Sequence, residues 1–449
     1  MLTETVNFLN KHLIMPLTDR FRGTMIRQFW TRIESMSSWS PGEIRNWQTE
    51  KLKKLINHVY HHTRYYKELF NKLGLRPDDF KDITDLQKLP VLTKMDIINN
   101  SDRLTPDNLN EFIYKNVATG GSTGVPLKYR IDKQSFSYFS AYRHHFWEKI
   151  GFSYGNKHII LGGRSIIPDH KDTIMNMIYY NLVGKIFLNG VNMSDQVINQ
   201  YLDVIYNERV GYLYGYPSAI YLMACQAETR KLIFPELKVI ITTGEMFPDD
   251  YRAKINAVFN CKAIDSYGAM DGGIEAFESK PGTYHVGYNS IAEVEERSAG
   301  NHTGNILATD LLNYASPFIR YQIGDEISLL GDKEARNEYN GQIITKIYGR
   351  DLDIIRLENG HSLTGIGFTG FFRTLNIRAF RVVQLGPMHI KCIVQKTSEY
   401  TKDEETMVIS TFKKQAGEAC KISIRYVEEF EPVASGKRKY FIANTNNSN

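Results

Sequence analysis

The sequence predicts an α/β protein of two domains, a large N-terminal one over residues 1–348 built of β-sheets and helices and a small α+β one over residues 349–449. Three observations predict it. The 449 residues are about two to four times a typical single domain, enough to bury a core in each of two. Short β-rich runs that stop at glycine alternate with helical patterns through the middle of the chain, as in βαβ units. Past about Gly349 the texture changes to a few short strands and one helix.

In the N-terminal region Leu52, Leu55, Ile56, Val59 and Tyr60 recur on one helical face, so this region is expected to be helical as far as Leu89-Pro90-Val91-Leu92. Residues 159–163 and 239–243 read as strands, and after Gly244 the positions Tyr251, Ala253, Ile255, Ala257, Val258 and Phe259 repeat as in a packed helix. Parallel strands place loops at their carboxyl ends, where ligands bind, so these loops are candidate site elements. In the small domain, strands are expected at 381–385, 390–394 and 422–427 and a helix near 404–413.

Hydrophobic residues make up 42% and charged residues 23%, ordinary for a globular chain and unlike a disordered one. Lys plus Arg number 55 against 50 for Asp plus Glu. The excess is spread thinly, which argues against a nucleic-acid partner and suits an anionic small substrate. Cys225, Cys261, Cys392 and Cys420 lie far apart with no CxxC pair, so buried, reduced thiols are expected. No stretch approaches the roughly 20 apolar residues of a membrane span, and no basic-then-apolar leader opens the chain; a cytoplasmic protein is expected.

The sharpest local feature is the run from Ala118 to Lys128. Thr119, Gly120, Gly121, Ser122, Thr123, Gly124 and Lys128 put glycines, hydroxyls and a cation in close succession. Glycines let backbone N–H groups approach phosphate oxygens, hydroxyls add donors, and a lysine adds a point charge. The Gly-Lys-Ser/Thr ending of a Walker A loop is missing. Taken alone, the run reads equally as a surface turn.

It resembles the phosphate-binding loop of the adenylate-forming enzymes, T/S-S/G-G-S/T-T-G-x-P, and five further segments follow in that family's order. Thr243-Gly244-Glu245 resembles the segment whose backbone contacts adenine. Asp265-Ser266-Tyr267-Gly268-Ala269-Met270-Asp271 is similar to YGxTE, an aromatic plate for adenine followed by an acid for Mg²⁺; Met270 and Asp271 depart from that pattern, and Glu275 is a substitute candidate for the metal. Thr309-Asp310-Leu311 and Pro317 to Asp325 resemble TDL…PLIRYxxGD, which assigns Asp325 to the ribose hydroxyls. Gly349 to Asp353 resembles the hinge GRxDD, which gives Arg350 to ribose or phosphate, with Leu352 at the hinge position. Ser435-Gly436-Lys437 resembles the segment whose lysine reaches the reacting carboxylate and phosphate.

Gln48 to Leu55, Tyr65-Tyr66, Leu73-Gly74-Leu75 and Lys88 to Lys94 narrow the resemblance to the phenylacetate–CoA ligase and CapK-like branch. It implies ATP-dependent conversion of a carboxylic acid to an acyl-adenylate, with Mg²⁺, and transfer to coenzyme A or another acceptor arriving in trans. It also implies that Lys437, on the small domain, completes the site when that domain closes. The alternatives are transfer of an acid or amino acid to a sugar in capsule or cell-surface polysaccharide assembly, and a non-catalytic nucleotide-binding relative. Outside the motifs, Tyr142-Arg143-His144-His145 is either a substrate-anion site or a helix surface, and Tyr214-Gly215-Tyr216-Pro217-Ser218 is either an acyl-pocket lining or core.

Overall fold

The computed structural model describes residues 8–118, 127–163, 167, 173–190, 193–296, 302–331, 339–348, 354–359, 362–364, 368, 371–372, 374–428, 430 and 441–442. The chain has the mixed α/β class expected of it. It divides into two compact units: Met1–Ala118 with Lys128–Gly155 and Ile264–Gly349, and Thr119–Leu127 with Asn156–Ala263 and Arg350–Asn449.

The first unit begins with helices. In Pro41–His62 a capping box fixes the start: the Ser40 hydroxyl accepts from the Glu43 amide, and the Ser40 amide donates to the Glu43 carboxylate. Leu52, Leu55, Ile56 and Val59 are buried as predicted, with Tyr60 half-buried at the rim. Thr63 then ends this helix and caps the next, Arg64–Leu73.

Seven antiparallel strands follow: β1 (Lys262–Ala269), β2 (Ile274–Lys280), β3 (Thr283–Val286), β4 (Ser290–Glu296), β5 (Thr303–Asp310), β6 (Tyr321–Leu329) and β7 (Ile343–Ile347). Their spatial order is β4-β5-β6-β7-β3-β2-β1. The 89–92 segment is tied to the start of β6, where the Leu92 amide donates to the Arg320 carbonyl at 3.1 Å and the Leu92 carbonyl accepts from Gln322 at 3.0 Å. Helix Lys133–Lys149 packs on β2 through Phe146, stacked on Phe277 at 4.4 Å. Asp132 caps that helix by accepting from the Gln134 and Ser135 amides.

In the second unit, strands His158–Gly162, Lys185–Asn189, Tyr212–Gly215 and Val239–Thr243 are all parallel, with 158–162 and 212–215 inside and 185–189 and 239–243 flanking them. Helices Asp195–Asn207, Pro217–Thr229 and Asp249–Phe259 return the chain and bury Leu202, Ile220, Met223 and Ile255 against Leu161, Leu213 and Ile240. The expected βαβ pattern is present here.

The C-terminal residues build a separate core in the same unit. Ile377–Gly386 and His389–Lys396 form an antiparallel pair, helix Lys402–Ala416 leads to Lys421–Tyr426, and Phe441–Ile442 adds a fourth strand. The paired strands outrun the predicted ones because ladder pairing continues through residues such as Gln395 and Lys396, where apolar alternation fades. Cys392 and Cys420 are buried and Cys225 and Cys261 half-buried, all as thiols. Among the described residues no helix is long and apolar enough to cross a membrane.

Candidate functional site

At the end of β1 the Tyr267 hydroxyl donates to Asp325 Oδ2 at 2.9 Å. Asp325 follows Gly324, whose φ of 93° is a left-handed setting that glycine adopts without a Cβ clash. Two segments expected to serve adenine and ribose thus meet through their side chains. Ser266 is buried and Gly268 exposed. The nearest atom to a Cβ placed on Gly268 is Phe139 Cζ at 3.7 Å, so the backbone there is open to a flat group.

Asp271 sits half-exposed in a single 3₁₀ turn, Met270–Gly272. Glycine packing fixes this turn onto β5. A Cβ on Gly272 would lie 2.6 Å from Ala308 Cβ, and one on Gly273, where φ is 68°, would lie 2.3 Å from Asp310 Cγ. Asn289 Nδ2 also donates to the Gly273 carbonyl at 2.9 Å. Among the described residues no three His, Cys, Asp or Glu side chains gather as in an all-protein metal cage. Mg²⁺ needs less, since it is commonly bound through one or two carboxylates plus substrate phosphates and keeps several waters. A single positioned carboxylate at Asp271 fits that demand.

Thr309, Asp310 and Arg320 form the scaffold behind this corner. Buried Asp310 accepts from the Ser135 hydroxyl and from the Leu312 amide at 3.0 Å. Thr309 Oγ1 accepts from the Arg320 amide at 3.0 Å. Arg320 Nε lies 3.2 Å from both Glu293 oxygens, and its Nη1 donates to the Leu89 carbonyl at 2.5 Å. These residues hold the strand that carries Asp325.

The substitute metal ligand proves to be something else. Glu275 is 3% exposed, and its Oε1 accepts from Arg143 Nε at 2.8 Å. Burial pushes its carboxyl up to about 7 while the Arg143 charge pulls the other way. Oε2 has no hydrogen-bond partner among the described residues. Burial and the adjacent Arg143 charge make this carboxylate a poor ligand for Mg²⁺, an ion that usually keeps several waters. Sequence reasoning missed this pair because its members stand 132 positions apart.

Nor does Tyr142-Arg143-His144-His145 form one anion site. The Tyr142 hydroxyl donates to the His285 carbonyl at 2.9 Å, His144 stacks on Trp30 at 5.5 Å, and burial pushes His145 down to about 4, so that it is neutral near pH 7. Four consecutive helical positions cannot face one way.

In the second unit Gly244 leaves its strand at φ 79°. Glu245 Oε2 accepts from the Ser218 amide at 3.0 Å and so caps helix Pro217–Thr229, which joins two motif segments 27 positions apart. Tyr214 and Tyr216 are buried, and the Tyr216 hydroxyl accepts from the Gly163 amide at 3.1 Å. Both are core in this structure. Lys128 is exposed at the start of strand Lys128–Asp132. Thr119, Gly120, Gly121, Ser122, Thr123, Gly124, Arg350 and Lys437 lie outside the described residues.

Residues 356–444 match the family model of the CapK C-terminal domain. The chain is 22% identical over 332 residues to Protein CapK of Staphylococcus aureus, covering 73% of this chain and 72% of that one. It is 25% identical over 337 residues to Phenylacetate-coenzyme A ligase of Aromatoleum evansii, covering 72% and 74%. Among solved structures it matches 2-hydroxyisobutyryl-CoA ligase in complex with 2-HIB-AMP and CoA in the thioesterification state, with a TM-score of 0.58 and 15% identity over 90% of each chain. The chain thus carries a CapK C-terminal domain, is similar over nearly three-quarters of its length to CapK and to phenylacetate-coenzyme A ligase, and shares the fold of 2-hydroxyisobutyryl-CoA ligase.

Proposed function

We propose that the protein uses ATP to convert a carboxylic acid into an acyl-adenylate with release of pyrophosphate, and then passes the acyl group to coenzyme A. The Tyr267–Asp325 bond is the observation that carries this reading, because it pairs an aromatic ring suited to adenine with a carboxylate whose oxygens suit a vicinal diol. The Gly244–Glu245 backbone would add contacts to adenine. Thr119, Gly120, Gly121, Ser122, Thr123, Gly124 and Lys128 would hold the phosphates, and Arg350 would address ribose or phosphate.

A carboxylate attacking the α-phosphorus brings two anions together, so the site must neutralise charge before it can align the reactants. Mg²⁺ at Asp271 would supply part of that neutralisation. Lys437, on a small domain of residues 349–449, would bridge the carboxylate and the α-phosphate where negative charge develops.

The relatives named as phenylacetate- and 2-hydroxyisobutyryl-CoA ligases support an organic acid and coenzyme A as the pair of substrates. The CapK match, including the C-terminal domain, favours a second reading, in which the activated acid or amino acid goes to a sugar of a cell-surface polysaccharide. Pyrophosphate and AMP release, measured over aryl, hydroxy, fatty and amino acids with and without coenzyme A, separates them. Coenzyme A-dependent AMP release supports the ligase, and acid-dependent pyrophosphate release indifferent to coenzyme A supports the second. A flat response throughout overturns both.

A further inference from the structure

The N-terminal helical segment is amphipathic in the reverse of the usual sense. A π-helical turn, Asn10–Ile14, runs directly into helix Met15–Arg22. The side facing the protein is fastened by polar contacts. Lys11 Nζ lies 2.7 Å from Glu148, 3.0 Å from Glu34 and 4.5 Å from the centre of the Trp30 ring. Buried Asp19 accepts from the Arg27 amide at 2.7 Å and from the Thr24 hydroxyl. Gly155 lets Asn10 press against the backbone, since a Cβ there would lie 2.1 Å from the Asn10 amide nitrogen.

The side facing outward is apolar. Phe8 is 62% exposed, Leu9 47%, Leu13 52%, Leu17 58% and Phe21 72%. From Leu9 onward these side chains recur at every fourth position, which keeps them along one face. A contiguous exposed patch of this kind marks an interaction surface.

The rim of the patch is cationic. Arg20 and Arg22 are exposed, whereas Asp19, the acid among described residues 8–22, is buried. Lys115, whose ammonium lies 3.6 Å from the centre of the Phe136 ring, has its pKa lowered first by burial and then by the Arg22 charge. Positive charge from two parts of the chain therefore gathers at the Phe21 end.

We propose that this face attaches the protein to the surface of an anionic lipid bilayer, with Phe8, Leu9, Leu13, Leu17 and Phe21 entering the acyl boundary and Arg20, Arg22 and Lys115 supplying charge toward headgroup phosphates. Charge selects this occupant over a second copy of the chain. A two-fold contact sets a patch against itself, so Arg20 and Arg22 would face their own copies with no exposed acid among described residues 8–22 to offset them. The inward ion pairs keep the segment docked while its outer face is engaged.

The test uses the whole chain with sedimented vesicles, either phosphatidylcholine alone or an equimolar mixture with phosphatidylglycerol. The mixed vesicles should hold at least about tenfold more protein, and Leu13→Glu with Leu17→Glu, or Arg20→Glu with Arg22→Glu, should lower that binding by a similar factor. Circular dichroism of both variants should match that of the native chain. Equal binding to both vesicle types, or binding unaltered by either variant, would overturn the proposal. So would a native dimer that Leu13→Glu with Leu17→Glu converts to a monomer. Lipid binding is read independently of any ligase activity, so failure of one reading does not imply failure of the other.

Discussion

The Tyr267 hydroxyl and Asp325 Oδ2 are joined at 2.9 Å across 58 positions of sequence. Tyr267→Phe keeps the ring and removes the donor. A hydrogen bond to a charged group is worth roughly 1.5–3 kcal/mol, and because this one positions Asp325 without touching ATP only part of that reaches the KM for ATP, which should rise about fivefold with kcat nearly unchanged. Asp325→Ala also removes the acceptor proposed for ribose and should raise that KM more than about tenfold. Steady-state kinetics at saturating acid check both, and an unchanged KM in both variants would place the nucleotide elsewhere.

Gly273 is predicted to be the least replaceable residue of the Asp271 turn. Its φ of 68° disfavours any side chain, and a methyl group would lie 2.3 Å from Asp310 Cγ. Gly273→Ala should cost about 2–4 kcal/mol, from backbone strain and overpacking together. Thermal melting should show a drop of several degrees, while Gly42→Ala, with only Ser40 Oγ at 3.9 Å, should leave the midpoint unchanged or slightly raised. Equal midpoints for the two variants would contradict the packing described for β5.

The Arg143–Glu275 pair gives a pH dependence of definite sign. Glu275 has an ordinary carboxyl value of 4.5 in the unfolded chain and about 7 in the folded one, chiefly through burial. Between those values the folded chain binds more protons than the unfolded chain, so this group's contribution to stability falls as pH rises through the window. Glu275→Gln abolishes the titration. Its stability deficit relative to the native chain should therefore shrink from pH 5 to pH 8, by up to about 3 kcal/mol. Urea melts at the two pH values measure this, and a deficit that grew with pH would show that the Arg143 attraction outweighs burial.

Much of the fold could be read from local pattern. The face of Leu52, Leu55, Ile56 and Val59 is set by helical spacing, and the strands of the C-terminal core by the alternation of Ile390, Cys392 and Val394, all of them buried. Motif order placed Tyr267 and Asp325 in one function, and side-chain geometry brings them together. What could not be read were contacts between distant residues. Arg143 and Glu275 each looked suited to an anion or a metal, and only burial reveals that they satisfy one another. Arg320 belongs to a recognisable segment, yet its work is to brace Glu293 and Leu89. Glu245 likewise caps a helix that begins 27 positions earlier, a role that no local pattern announces.

ATP–pyrophosphate exchange by the native chain and by Lys437→Ala, over the same panel of acids, tests the central claim most directly. At least one acid should drive exchange by the native chain, and Lys437→Ala should lower that rate by about 10²–10³ while ATP binding is nearly retained. Exchange that no acid stimulates, or that survives Lys437→Ala undiminished, would contradict it.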